Sequence, residues 1–293
     1  MGHLLRALGL IAVLSTAACA STALTAQRAP VTPTSSTPRT TASTKAPVIR
    51  QPPQPEVIIS RFRAADGTII TLARFVGAVR YRLHSGSQDP GPAALSVVRA
   101  GSSIGARERR QLLAAFNGGF RLSAGAGGYE QEGHVISPLR RGLASLVIDR
   151  SGSARIGVWG SVLPRPGESV FSVRQNLWLL VRKGHVSGST ADWTAWGATL
   201  GGGEYVARSA LGENAAGELI YAGSMSAAPA DLAAALVYAG ARTAMELDIN
   251  PEWVQLDVAS APGRGLRSAI PGQLRPADQY LFGWTRDFIT VLR

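Results

Sequence analysis

Three features of the sequence predict an α+β fold: a single domain with mixed or antiparallel sheets and few helices. Short runs of β-branched and aromatic residues recur between Gly, Asp and Pro turn signals. Only one long segment carries clear helix punctuation. Strands and helices do not alternate in the rhythm of a parallel βαβ sheet, and no internal repeat is present.

The apolar texture begins after Glu56. Val57-Ile58-Ile59-Ser60-Arg61-Phe62, Thr68-Ile69-Ile70-Thr71-Leu72 and Val79-Arg80-Tyr81-Arg82-Leu83 read as strands, the first two joined by a turn at Asp66-Gly67. A helix is predicted from Ala106 to Leu113, capped near Ser102-Ser103. Leu143 to Asp149 and Arg155 to Trp159 form a strand pair across Asp149-Arg150-Ser151-Gly152, and Leu177 to Arg182 is a strand entering a turn at Lys183-Gly184. The punctuated helix has Pro229 and Asp231 in its first turn, Leu232, Leu236 and Val237 on one stripe, and Gly240 at its end. Thr243 to Ile249 alternates strictly, with Met245, Leu247 and Ile249 on one strand face and Glu246, Asp248 and Asn250 on the other. Trp253 to Val258 and Asp287 to Leu292 are the late strands.

What precedes Glu56 has a different character. His3 and Arg6 lead into the apolar run Leu8 to Leu14, and small residues follow, which is the order of a secretory signal. That run is too short to span a bilayer. Leu14-Ser15-Thr16-Ala17-Ala18-Cys19 resembles a bacterial lipobox, with Thr16 where Leu is usual, so residues 1–20 read as a signal cleaved before a lipidated Cys19. The competing reading is simple cleavage after Ala20. Cys19 is the single cysteine of the chain, which leaves the mature domain without thiol chemistry or a disulfide. Residues 21–56 are mostly Ser, Thr, Pro and Ala, with too little apolar bulk to offset ordering entropy, and read as a disordered linker. Residues 57–293 are the predicted domain.

The chain of 293 residues carries a formal charge of +11, from 30 Lys+Arg against 19 Asp+Glu. Residues 1–56 hold five of those basic side chains and one acid, which leaves 25 against 18 in the domain. A moderately basic domain suits anionic partners such as sugar phosphates, wall polymers or lipid head groups. The export signal argues against nucleic acid. No G-x-x-x-x-G-K-[ST] loop is present, and His84, His134 and His185 lack zinc-site spacing, so they are expected at the surface or in packing.

Four segments carry chemistry. In Ala114-Ala115-Phe116-Asn117-Gly118-Gly119-Phe120 the two glycines permit close backbone approach and Asn117 can both donate and accept; a plain turn is the alternative. Gly127-Gly128-Tyr129-Glu130-Gln131-Glu132-Gly133 reads as a glycine-framed loop with a ring and two acids. Arg208-Ser209-Ala210-Leu211-Gly212 sets an arginine in an apolar stretch, suited to clamping a phosphate or to a structural ion pair. Glu246 and Asp248 are next neighbours on one strand face, with Cα atoms roughly 6.5–7 Å apart. Such a pair needs a cation, a shared proton or solvent, and can supply the acid and base of glycoside hydrolysis.

In order along the chain, Asn117 to Phe120, Leu146 to Asp149, Arg208 to Gly212, Pro229 to Gly240 and Ala244 to Asp248 resemble the motifs of the phosphodiester glycosidase family, which includes many bacterial exported proteins. The resemblance begins at Leu112 and covers about two-thirds of the chain. The chain departs from the family after Asp248, where Ile249-Asn250-Pro251-Glu252-Trp253 replaces a turn rich in glycine and serine. The resemblance implies hydrolysis of a sugar-1-phosphodiester, on a sugar phosphate or an envelope polysaccharide. Asp248 and Glu246 would be the acid/base pair and Arg208 would hold the phosphate. Asn117, Gly118, Gly119 and Asn250 would bind substrate, and no cofactor is needed. Two rival readings stay open. One is a metal-assisted phosphodiesterase using Glu246, Asp248 and Asn250 as hard-oxygen ligands of a divalent ion. The other is a non-catalytic envelope protein that binds polysaccharide. Localisation follows from the signal: exported, lipid-anchored to the outer face of the cytoplasmic membrane through Cys19, or else secreted.

Overall fold

The computed structural model describes residues 56–293. The signal, Cys19 and the linker through residue 55 lie outside the described residues. Three antiparallel sheets and four short-to-medium helices make up the domain. The largest sheet has seven strands in the order β1 (Val57–Arg63), β2 (Ile69–Phe75), β13 (Leu219–Ala227), β12 (Val206–Asn214), β14 (Ala241–Glu246), β10 (Leu179–Arg182) and β11 (His185–Val186). A second sheet orders β16 (Leu266–Ser268), β15 (Leu256–Ala259), β4 (Leu112–Asn117), β17 (Phe288–Leu292) and β3 (Arg80–His84). The third orders β6 (His134–Ser137), β5 (Tyr129–Gln131), β9 (Ser172–Gln175), β7 (Ala144–Ile148) and β8 (Ala154–Val158). The helices are α1 (Pro92–Leu95), α2 (Ala106–Arg109), α3 (Pro229–Tyr238) and α4 (Gln279–Phe282).

Strand alternation divides the large sheet between two cores. Leu211, Tyr221 and Met245 join a central core with Phe116, Leu146, Ile156, Leu256 and Ile289, so each of the three sheets contributes one face. Ala210, Ile220, Ala222 and Ala244 point the other way and pack on Leu232 and Leu236 of α3. Pro229 begins that helix, Asp231 accepts a hydrogen bond from the Ala228 amide, and Gly240 ends it with φ 92°.

Several boundaries differ from the sequence reading. The helix at Ala106 lasts one turn, its N-cap is Gly105 rather than a serine, and Leu112 and Leu113 belong to β4. Both leucines are buried between β15 and β17, and that tertiary burial outweighs their good local helix propensity. The glycine-framed segment 127–133 is a hairpin: β5 and β6 pair across Glu132-Gly133, and Tyr129 is fully buried. The alternating strand stops at Glu246, although Leu247 still donates to the Ser209 carbonyl and Ser209 to that of Asp248. The strand expected from Trp253 begins at Leu256, because residues 251–253 form a turn.

Candidate active-site cleft

The end of β14 decides the site. Past Glu246, side chains join the remaining backbone bonds to Ser209. Asn176, fully buried, donates to the carbonyls of Glu246 and Leu247, each at 3.1 Å, and accepts from the Phe120 amide at 3.2 Å. The Ser209 hydroxyl receives the Asp248 amide at 3.2 Å and is itself held by the Asn117 amide at 2.9 Å. The other end of Asn117 accepts from the Tyr221 hydroxyl at 2.9 Å and the Gln255 amide at 3.2 Å. Asn117 and Ser209, from two of the motifs, thus converge on the backbone of Asp248. Asn117 is buried and fully used, so it positions Asp248 and has no valence left for substrate.

The glycines have a similar explanation. A Cβ on Gly118 would stand 2.0 Å from Asp287 Oδ2, and one on Gly119 would stand 2.9 Å from the Arg174 guanidinium carbon. They let the backbone close over a buried ion pair, Arg174 Nε to Asp287 Oδ2 at 2.8 Å, both side chains 1% exposed. Gly118 and Gly119 therefore serve packing of this pair rather than open backbone amides to a ligand.

Arg208 and Glu246 are also paired, at 2.8 Å, and both are 0% exposed. Arg208 further donates to the carbonyls of Trp196 and Ala227, each at 3.1 Å. Complete burial keeps both side chains off the cleft, which corrects the expectation that Arg208 clamps phosphate and that Glu246 shares the chemistry at the surface. Of the three hard-oxygen donors, Asp248 and Asn250 line the cleft described below and Glu246 does not. Among the described residues no group of three His, Cys, Asp or Glu side chains is gathered as a metal site. Burial pushes the Glu246 carboxyl up against the opposing pull of Arg208.

Asp248 does reach a cleft of about 450 Å³, within the size range of small-molecule sites. Phe120, Arg121, Ser123 and Ala124 line one side, Ala198 another, and Asp248, Ile249, Asn250, Trp253 and Arg286 the rest. Asp248 Oδ1 accepts from the Ile249 amide at 2.8 Å, and Oδ2 faces Arg286 Nη2 at 3.1 Å. Burial raises its carboxyl to about 7, the Arg286 guanidinium opposing and the nearby Asp287 reinforcing the rise. Arg286 also donates to the Gly119 carbonyl at 2.8 Å and pairs with Asp89 at 3.4 Å.

The turn that departs from the family pattern builds the floor. Asn250 Oδ1 accepts from the Glu252 amide at 2.9 Å, and the Asn250 carbonyl receives the amides of Trp253 and Val254. This brings Trp253 beneath two cations: the guanidinium of Arg286 lies 5.1 Å from its ring centroid and that of Arg121 lies 5.9 Å away. Arg121 is exposed, and among the described residues no carboxylate pairs with it. The cleft therefore offers a titratable carboxyl, two guanidinium groups and an indole face. Of these cleft-lining residues, sequence reasoning named Asp248 and Asn250 as site residues and did not so name Arg286, Arg121 or Trp253. Arg286 adjoins the last predicted strand and Trp253 opens an earlier one, but no spacing rule links them to Asp248.

His84 is a packing residue as expected, stacked on Phe288 at 4.4 Å with Nε2 2.8 Å from Glu108; His134 and His185 are exposed. Gly101-Ser102-Ser103-Ile104-Gly105 has the spelling of a hydrolase nucleophile elbow. Ser103 is exposed there, no strand enters the turn, and α2 is too short to complete the strand–turn–helix that the elbow requires.

No family model matches the sequence and no curated protein matches it in sequence. Among the solved structures similar in fold are two that cover most of this chain. The catalytic domain of zebrafish N-acetylglucosamine-1-phosphodiester alpha-N-acetylglucosaminidase, auto-inhibited by its pro-peptide, aligns with TM-score 0.51 and 14% identity, covering 81% of this chain and 82% of that one. A hypothetical protein from Synechocystis aligns with TM-score 0.51 and 12% identity, covering 81% of this chain and 62% of that one. The α+β domain described above thus has the fold of the N-acetylglucosamine-1-phosphodiester alpha-N-acetylglucosaminidase catalytic domain, which is the fold the sequence motifs implied.

Proposed function

We propose that the protein is an exported hydrolase that cleaves sugar-1-phosphodiesters, with phosphorylated glycans of the cell envelope as its substrates. The observation that carries this reading is the cleft in which Asp248 meets Arg286 and Arg121 over Trp253. The likeness of fold to a phosphodiester glycosidase supports it. The indole of Trp253 carries the two guanidinium groups, and these receive the phosphate. Water attacks C1 and gives its proton to the Asp248 carboxylate. The C1–O bond breaks as the new one forms, and its electron pair leaves on the phosphate oxygen. The products are a free sugar and a phosphorylated acceptor. Arg286 and Arg121 balance the departing charge. Glu246, sealed behind the cleft wall with Arg208, takes no part, and the free amide end of Asn250 donates to a sugar hydroxyl.

The test is release of reducing sugar from α- and β-linked sugar-1-phosphodiesters by the full chain. With Asp248 raised to about 7 and required as a base, kcat/KM rises with pH through about 7 and levels above it. A rate that falls over the same range would assign Asp248 the opposite role. Absence of sugar release at every pH between about 5 and 9 would favour the polysaccharide-binding reading.

Membrane attachment through Cys19 is the second part of the proposal, supported by the lone cysteine directly after the apolar signal. Cys19→Ala is expected to move the protein from the membrane fraction to the soluble one. Equal membrane association of both forms would sink the lipid anchor.

A further inference from the structure

A second groove begins one residue beyond the segment that lines the cleft. Ala124 lines the cleft, and Gly125 and Ala126, next in sequence, line a groove of about 360 Å³ with Arg140, Arg141, Leu143, Leu177 and Trp178. Its charged groups are held in place from below. Gln175 is fully buried, and its side chain clamps Arg140 at both backbone groups: Oε1 accepts the Arg140 amide at 2.7 Å, and Nε2 donates to the Arg140 carbonyl at 3.0 Å. The Arg140 guanidinium donates to the Gly125 carbonyl, which ties the groove to the cleft loop. Arg141 lies across Gly160, where a Cβ would meet its side chain at 2.9 Å, and donates to the Gly160 carbonyl at 2.7 Å. Each guanidinium keeps donors to spare. Among the described residues neither has a carboxylate within salt-bridge distance, and no acid lines the groove.

Beside these two charges stands Trp178, 49% exposed. The residue before it, Leu177, has φ 48°, a conformation that is costly for a leucine. That turn is pinned on both sides, by Leu177 N to the Ala126 carbonyl at 2.8 Å and Ala144 N to the Leu177 carbonyl at 2.9 Å. Edge-to-face packing on the buried Trp196, 6.4 Å between ring centroids, fixes the indole from beneath. An exposed aromatic plane fixed by a strained turn, next to two uncompensated arginines, is a built recognition surface.

We propose that Arg140, Arg141 and Trp178 form a subsite for the next phosphorylated unit of a glycan whose first unit occupies the cleft. The inference rests on the hydrolase reading for the occupant of the cleft and extends it: the substrate class is a phosphodiester-containing polysaccharide rather than a small sugar phosphate. Trp178 stacks on a sugar ring and the two guanidinium groups hold the phosphate that links it onward.

The experiment is a binding titration of the full chain carrying Asp248→Asn, so that turnover does not enter, with a phosphomannan, the same mannan after dephosphorylation, and inorganic phosphate. Expected is a phosphomannan affinity at least about tenfold above that of the neutral mannan, lost in Arg140→Gln/Arg141→Gln and in Trp178→Ala, and partly kept in Arg140→Lys/Arg141→Lys. Thermal melting of each variant within a few degrees of the parent shows that the loss is local. Equal affinity for charged and neutral mannan, or unchanged binding in the double glutamine variant, overturns the subsite. Inorganic phosphate binding as tightly as phosphomannan overturns the polymer assignment. Failure of sugar release by the wild-type chain bears on the hydrolase reading alone, since the titration is read without turnover.

Discussion

Asp248→Asn is expected to lower the turnover of a sugar-1-phosphodiester by about a hundred- to ten-thousandfold, the usual range for loss of a general base. The substitution keeps the shape of the side chain and its acceptor for the Ile249 amide. It removes the group that takes the proton from water. Stability should change little, because Arg286 retains the Gly119 carbonyl and Asp89 as partners. Tm measured beside free-sugar release separates the two effects. Full activity in this variant would remove Asp248 from the mechanism. A large fall in Tm with no activity to lose would make it a structural residue.

Arg174→Met is expected to have the largest effect on stability, with no direct effect on the chemistry. Arg174 and Asp287 are paired at 2.8 Å with both side chains 1% exposed, and Arg174 also donates to the carbonyls of Phe120 and Gln175. Removing the cation leaves the Asp287 carboxylate buried without its counter-charge. Breaking a buried pair from one side costs about 3–5 kcal/mol. For a domain of this size that is a fall in Tm of roughly 6–20 °C. The double variant Arg174→Met/Asp287→Asn removes the stranded charge and should recover part of the loss, which a double-mutant cycle measures. A fall of less than about 3 °C in the single variant would show that the pair contributes little. The same pair lies under Gly118 and Gly119 and beside Asp248, so its loss should also loosen the cleft wall at Phe120.

The two predictions probe different layers of one device. Asp248 sits at the end of a strand whose ladder has stopped, and a buried polar frame of Asn117, Asn176 and Ser209 holds it there. Such a frame is costly to break, because each group it pairs would be left unsatisfied in a dry interior. Burial is also what lifts the Asp248 carboxyl toward neutrality, where it can exchange a proton at ordinary pH. The chain thus uses one feature, a polar cluster sealed beneath the cleft, both to fix the geometry of the carboxyl and to tune it.

The sequence by itself determined the elements whose cause is local. Pro229, Asp231 and Gly240 mark a helix because a missing amide, an N-terminal carboxylate and a left-handed terminus each act within one turn. Asp149 to Gly152 marks a hairpin because the Asp149 side chain closes the turn on the Ser151 and Ser153 amides. The alternation of Met245, Leu247 and Ile249 against Glu246 and Asp248 was likewise legible, since strand period is a property of the chain alone. Only the tertiary structure decided which of those two acids meets solvent. Glu246 and Asp248 are equivalent by pattern. The first is ion-paired with Arg208, which is fully buried with it, and the second lies where the ladder ends and a cleft opens. The same reason hid Arg286 and Trp253. They join Asp248 through pairing of β17 and β15 with β4, contacts between segments far apart in sequence. Burial, and with it the difference between an ion pair that holds a fold and a carboxyl that can move a proton, depends on what packs around a residue rather than on its neighbours in the chain.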